Sequence, residues 1–289
     1  MRLHTAKTDV KTNVKTSLFI APLLAVVIGG MLMSSATAST LVSSTAPLDY
    51  KLPKSVQKQC VARDICPEIE VKYLSSNQAW INKIVNARVN DAVVNLTGDS
   101  DAPIDEITVN TDIKAVLDDF TLSQFIDMPE ESEWGYSLSV EPKDLGSIAL
   151  GQTESFMLFE VNSYVFTGGA HGMAFSENLI FDPSTKQQVT LTDMLLADKE
   201  SQFKAQAYTD FQEQAYAAYK SWVATLDEDV SSYEEDWPFT LSDNVTLTEQ
   251  GIDILYQQYE IAPYAYGMPV LSIPYSKLRG IIKPRFMPK

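Results

Sequence analysis

Glu154-Ser-Phe-Met-Leu-Phe-Glu-Val-Asn-Ser-Tyr-Val-Phe166 is a long run of aromatic and β-branched residues, free of proline and glycine. Such a run reads as a strand. The glycine-rich segment Thr167-Gly-Gly-Ala-His-Gly172 follows, then a second strand-like run from Phe175 to Phe181. The polar turn Asp182-Pro-Ser-Thr-Lys186 leads on to Val189–Leu191. Together these predict adjacent antiparallel strands joined by turns. Upstream, Tyr136-Ser-Leu-Ser-Val140 alternates, and Ile69, Val71 and Tyr73 alternate with Glu70 and Lys72. Downstream, Trp237–Leu241, Val245–Thr248, Ile252–Tyr256 and Pro269–Ile273 are further predicted strands, with Gly251 at a hairpin turn.

Helical periodicity frames these strands. Trp80, Ile81, Ile84, Val85, Val89, Val93 and Leu96 form one apolar stripe, ended by Gly98. A second stripe over Asp112–Phe125 turns Val116, Leu117 and Phe120 inward. The longest helix is predicted over residues 199–226, with Phe203, Ala207, Phe211, Ala215, Tyr219, Trp222 and Leu226 on its packing face. Thr192 or Asp193 opens a short helical turn, Asp227–Asp236 reads as an acidic loop, and Ser276–Ile282 as a closing helix. Helices and strands do not alternate one for one, so the expected class is α+β: antiparallel sheets packed with a few long amphipathic helices.

The amino terminus carries an address. Arg2, Lys7, Lys11 and Lys15 precede an uncharged run from Leu18 to Met33, and then Ser34-Ser-Ala-Thr-Ala38 ends in Ala-x-Ala. Basic, apolar and small segments in that order predict a secretory signal cleaved after Ala38. The apolar run is short for a membrane span and is interrupted by Pro22, Gly29 and Gly30. The expected location is therefore periplasmic or secreted, with no membrane span after cleavage. The leader holds four of the 22 Lys+Arg and one of the 38 Asp+Glu. The mature chain thus keeps 18 basic and 37 acidic residues, a net charge of about −19. Such a surface repels nucleic acid and attracts cationic partners. In an oxidising compartment, Cys60 and Cys66 read as a disulfide. A redox pair is the alternative, but the C-x-x-C spacing is absent.

Chemistry-bearing residues are scarce. Once the leader with His4 is removed, His171 is the only histidine. No zinc motif, nucleophile elbow or phosphate-binding loop is present. No metal or cofactor is expected. Gly168, Gly169 and Gly172 permit φ > 0 and close backbone approach around His171. His171 could act as a general base with an Asp and a Ser nearby, or lock the turn and take part in recognition. The second use is favoured because no recognisable nucleophile lies nearby in sequence.

Tyr164-Val-Phe-Thr-Gly-Gly-Ala-His-Gly172, Leu179-Ile-Phe-Asp182 and Val189-Thr-Leu-Thr-Asp-Met194 resemble the signature of RsiV-like extracytoplasmic proteins. So do Tyr259-Glu-Ile-Ala-Pro-Tyr-Ala-Tyr-Gly267 and Val270-Leu-Ser-Ile-Pro-Tyr275. Ile69–Tyr73 and Trp80–Ile84 are similar to the companion N-terminal module found beside PdaC-type deacetylases. The resemblance implies a two-part α+β ectodomain: a signal peptide at 1–38, a loose lead-in at 39–58, an N-terminal module at 59–172 and a C-terminal domain at 173–289. It implies a non-enzymatic envelope binding protein whose partner is a basic protein such as lysozyme, or a cell-wall glycan. The candidate recognition residues are Gly168, Gly169, His171, Gly172, Tyr259, Tyr264 and Tyr266. An envelope hydrolase acting through His171 is the alternative. The sigma-binding cytoplasmic part of the best understood member has no counterpart in the short leader.

Mass spectrometry of the protein from a cell envelope is expected to find Ser39 as the first residue. A full-length chain retained in the membrane would contradict cleavage.

Overall fold

A computed structural model of the chain describes residues 41–98, 112–127, 135–151, 154–196 and 201–289. The expected leader, 1–38, lies outside the described residues. The elements in chain order are β1 (Ser43–Pro47), α1 (Lys54–Arg63), β2 (Glu68–Ser76), α2 (Ala79–Thr97), α3 (Ile113–Asp127) and β3 (Ser137–Leu150). Then come β4 (Glu154–Phe166), β5 (Met173–Asp182), β6 (Gln187–Val189), α4 (Leu191–Met194), α5 (Ser201–Ala224) and α6 (Val230–Asp236). Three short strands close the chain: β7 (Val245–Leu247), β8 (Gly251–Leu255) and β9 (Val270–Pro274). The class is α+β, with a six-stranded sheet ordered β1-β2-β3-β4-β5-β6 and a three-stranded sheet ordered β7-β8-β9. Every neighbouring pair is antiparallel except β2–β3, which is parallel because α2 and α3 carry the chain back between them.

β4 is central and apolar on both faces. Met157, Phe159 and Val161 enter one core with α2 and α3, whereas Phe156 and Leu158 enter a second core with α5. Successive strand residues point to opposite faces, which is why one strand serves both. β3 serves both by another device. Its register shifts between Asp144 and Gly146, where Gly146 takes φ 91°. One inserted residue inverts the facing of everything beyond it. Leu138 and Val140 therefore join the α2/α3 core, and Ile148 and Leu150 the α5 core.

In the first core, Ile81, Val85, Val89 and Val93 of α2 are fully buried, as their spacing predicts. In the second, Phe211, Ala215, Tyr219 and Val223 of α5 pack on Ile252, Ile254, Leu271 and Ile273 of the small sheet. Each fully buried large apolar side chain contributes roughly 1.5–3 kcal/mol. The expected disulfide, Cys60–Cys66, is present and ties the end of α1 to the segment before β2. The residue 172/173 boundary falls inside the β4–β5 hairpin, where Val165 pairs with Met173. Among the described residues no helix is long and apolar enough to cross a membrane.

Four segments differ from expectation. Within 39–58, expected to be loose, the described residues form β1 and begin α1; β1 is polar and exposed but pairs with β2 through its backbone. Within the acidic segment 227–236, α6 forms because the Asp229 carboxylate accepts the Ser232 N–H (3.1 Å) and Tyr233 anchors the helix in the core. Trp237–Leu241 is not a strand; the Tyr219 hydroxyl donates to the Trp237 carbonyl (2.6 Å) and the Tyr256 hydroxyl to the Thr240 carbonyl (2.9 Å). The closing helix is only a 3-10 turn at Tyr275–Lys277, and Gly280 beyond it takes φ 78°. The side chain of Phe203 lies outside the described residues.

An ion pair to Asp182 helps to hold the carboxyl terminus. Asp182, at the end of β5, is 3% exposed. Its carboxylate accepts from Ser184 N–H (2.8 Å), Ser184 hydroxyl (2.6 Å) and Arg285 Nη2 (2.7 Å). Burial alone would raise the pKa of Asp182, but these hydrogen bonds outweigh it and hold it at about 2, against an ordinary 3.8. A depressed folded-state pKa gives stability that is present above the unfolded value and lost as pH falls toward the folded one. The parent protein is expected to exceed Asp182→Asn in stability by about 2 kcal/mol at pH 6. Denaturant titrations should show that gap closing as pH falls from about 4 to about 2. A gap that persists below that window would deny the depressed pKa.

Candidate functional site

β4 and β5 form a hairpin whose connection is the segment from Thr167 to Gly172. Gly168 and Gly169 take φ 99° and 94°, a region costly for side chains, although a Cβ at either would meet no atom within 4 Å. Their constraint is conformational, not steric. Gly172 is the reverse case: a Cβ there would lie 2.3 Å from the Tyr164 hydroxyl.

Behind this turn, the small sheet's loops close the outer edge of β5. Only residues 180–182 of β5 pair with β6. Side chains meet five of the other backbone groups along this edge. The Gln258 Oε1 accepts Ala174 N–H (3.1 Å) and the Gln257 Oε1 accepts Ser176 N–H (3.1 Å). Gln257 Nε2 and Asn244 Nδ2 both donate to the Ser176 carbonyl (2.7 Å each). Asn244 Oδ1 accepts Asn178 N–H (2.8 Å), and the Tyr264 hydroxyl donates to the Gly172 carbonyl (3.1 Å). An amide carries a donor and an acceptor in the same plane, so it can pair with a strand edge much as a peptide group would.

This edge brings the predicted residues together. The His171 ring lies flat on Tyr264, with centroids 3.7 Å apart and planes 18° apart. His171 Nε2 is 3.2 Å from the Tyr259 hydroxyl, and Nδ1 is 3.1 Å from the Gly172 carbonyl. Tyr259 continues the surface by stacking on Trp237 at 6.5 Å. Tyr266 stands apart from His171, against Trp222 at 6.2 Å in an edge-on contact. Tyr259 and Tyr266 are nearly half exposed, at 45% and 46%.

Tyr259 is also strained. Its φ is 69°, in the left-handed region that bulky residues avoid. The turn that imposes this is closed by the Gln257 N–H donating to Glu260 Oε2 (2.7 Å). Strain of this kind costs on the order of 1–3 kcal/mol and collects at functional positions. The two tryptophans flank α6, and residues 227–236 contribute six carboxylates with no basic residue. The outcome is an aromatic ledge with an acidic border.

As chemistry, the ledge is poor. Among the described residues, the His171 ring bonds to a carbonyl and a phenol, not to the Asp and Ser that a general-base arrangement needs. No group of three or more His, Cys, Asp or Glu among the described residues could hold a metal ion. Flat aromatic faces beside acids suit recognition. The sequence reading named His171 and the three tyrosines, and the structure places His171 against Tyr259 and Tyr264. It missed Trp237 as a ledge residue and Asn244, Gln257 and Gln258 as the edge cap; a polar Gln-Gln pair directly after a strand reads as an exposed turn.

A family model described as a protein of unknown function, DUF3298, matches residues 179–276. That span holds the edge cap and the tyrosines, and His171 lies just before it. No curated protein matches. Among solved structures, the chain is similar to a DUF3298 family protein from Pseudomonas aeruginosa PAO1. The two are 26% identical, with 86% of this chain and 95% of that chain covered and a TM-score of 0.55. It is also similar in fold to a DUF3298 family member from Bacteroides fragilis NCTC 9343, at 14% identity, 85% and 94% coverage and a TM-score of 0.54. The matched span is a DUF3298 domain and takes in the quoted motifs from Leu179 to Tyr275, but not Tyr164–Gly172.

Gln257→Ala and Asn244→Ala are each expected to destabilise the protein by about 1–3 kcal/mol, the cost of a buried backbone group left unpaired. Because both amides serve the Ser176 carbonyl, the double variant should depart from additivity. Urea denaturation of the three variants measures this, and strict additivity with small effects would contradict a shared cap.

Proposed function

We propose that this protein is a non-enzymatic, extracytoplasmic recognition protein that binds a basic protein of lysozyme type through the ledge of His171, Tyr259, Tyr264 and Tyr266. The observation that carries the reading is Tyr259: a large aromatic held in a costly backbone conformation, with its ring exposed. Its ring meets Trp237 and its hydroxyl meets His171, yet 45% of the residue stays open to a partner. The acidic border of α6 and the net charge of about −19 on residues 39–289 supply long-range attraction for a cationic partner. Gly168, Gly169 and Gly172 hold the turn that places His171, and the histidine fixes the ring of Tyr264 from above.

The test uses the mature chain, residues 39–289, titrated with hen egg-white lysozyme and separately with soluble peptidoglycan fragments. Lysozyme is expected to bind, and its on-rate should fall steeply between low salt and about 0.5 M salt. Tyr259→Ala and Tyr266→Ala should weaken binding by about ten-fold or more, as for aromatic residues at an interface centre, with little change in melting temperature. Binding of glycan alone would move the partner class from protein to saccharide. Hydrolysis of peptidoglycan or esters that disappears in a folded His171→Ala variant would overturn the non-enzymatic reading.

A further inference from the structure

The two sheets treat an outer edge differently. That of β5 is capped by side chains; that of β9 is open. In the β8–β9 pair, Tyr256 N–H donates to the Pro269 carbonyl (2.9 Å) and Tyr275 N–H to the Gln250 carbonyl (3.0 Å). Ile252 opposes Ile273 and Ile254 opposes Leu271 in the same alternation, so Leu271 and Ile273 bond to β8. Val270, Ser272 and Pro274 therefore turn their backbone groups away from the sheet. Among the described residues nothing bonds to the Val270 and Ser272 N–H groups or to the carbonyls beside them. All three residues are exposed, and Val270 is an exposed aliphatic at 46%.

Open edges are normally blunted by charge, a bulge or a covering element. β9 has no charged residue and no register shift, and Pro274 removes a donor at one end only. Beside the edge runs a trough of about 360 Å3 between β9 and α5. Ala217, Ala218 and Ser221 of α5 give it short side chains, and Trp222 and Lys277 also line it. Lys277 has no carboxylate partner among the described residues, although this chain is strongly acidic.

We propose that the β9 edge and the trough along α5 form a docking site for an extended peptide segment of another protein, added as a fourth strand with an acidic residue beside Lys277. Donors and acceptors repeating every second residue are matched by an extended backbone. The short α5 side chains leave room for the peptide's alternate apolar side chains. A second copy of this chain is disfavoured as occupant, because each mature copy carries a net charge of about −19. The site adjoins the ledge at Trp222, which lines the trough and meets Tyr266, but it shares no residue with the cluster of His171, Tyr259 and Tyr264.

A phage-displayed library of random heptapeptides, panned against the mature protein, supplies the probe. Enriched sequences should alternate apolar residues and carry Asp or Glu. A synthetic peptide of such a sequence should slow amide exchange at Val270 and Ser272 by about ten-fold or more, as new backbone hydrogen bonds would. Leu271 and Ile273, already bonded to β8, should change little. Ser272→Pro removes the outward donor and should weaken binding by about ten-fold. Ala218→Trp fills the trough and should do the same if the proline alters the strand. Lys277→Glu should shift the preference to peptides bearing lysine. Equal binding to Ser272→Pro and Ala218→Trp, or no peptide that slows exchange at Val270 and Ser272, would overturn the proposal. So would a dimer in sedimentation that protects those amides without peptide. Loss of lysozyme binding in Tyr259→Ala, which does not touch the trough, would leave these outcomes untouched.

Discussion

The outer edge of β5 is the constraint on which the rest of the molecule depends. Its backbone groups from Gly172 to Asn178 need partners, and β6 is too short to supply them. Asn244, Gln257, Gln258 and Tyr264 supply them from the loops around the small sheet. Those bonds bring the segments around β7 and β8 against β5. They also place the Tyr259–Tyr266 turn beside the glycine-rich hairpin. Without them His171 would have no ring to rest on and the ledge would not assemble. A cap built from side chains is specific in a way that another strand is not, because each amide reaches one residue and cannot slip by one register.

Two cores share the same strands, and the sharing has a simple geometric basis. β4 is apolar on both faces over Phe156–Phe159, so each face meets a helical layer. β3 reaches both layers through the shift at Gly146, which converts an inward position on one side into an inward position on the other. The bulge thus does for β3 what composition does for β4. Both cores are long-range: the α2/α3 core joins residues as distant as Val56 and Phe181, and the α5 core residues as distant as Ile148 and Phe286.

Strain and exposure separate the ledge from ordinary packing. Tyr219, Tyr233, Tyr256 and Tyr275 are buried, and burial pushes the pKa of each well above the ordinary phenol. Each also donates its hydroxyl to a backbone carbonyl. They hold the α5 core. Tyr259 and Tyr266 do neither; their rings remain at the surface. One chain therefore uses the same residue type for two purposes, set by which side of the turn the ring leaves.

Much of this was legible in the residues themselves. The α+β class, the stripes of α2, α3 and α5, the span of β4 and the Cys60–Cys66 pair follow from spacing and composition, because periodicity is a local property. The residues around His171 were legible too, since three glycines about a lone histidine are unusual. Segments with weak periodicity were not. β1 is polar and exists through its pairing with β2; α6 depends on the Asp229 cap and on burial of Tyr233; Trp237–Leu241 is satisfied by tyrosine hydroxyls instead of a strand partner. The edge cap was invisible for the same reason. An Asn or Gln side chain becomes structural only when folding brings a strand edge within about 3 Å, a hydrogen-bond distance that no spacing along the chain encodes. Local patterns determined which elements form; long-range hydrogen bonding decided how the sheets meet, and with it where the aromatic ledge lies.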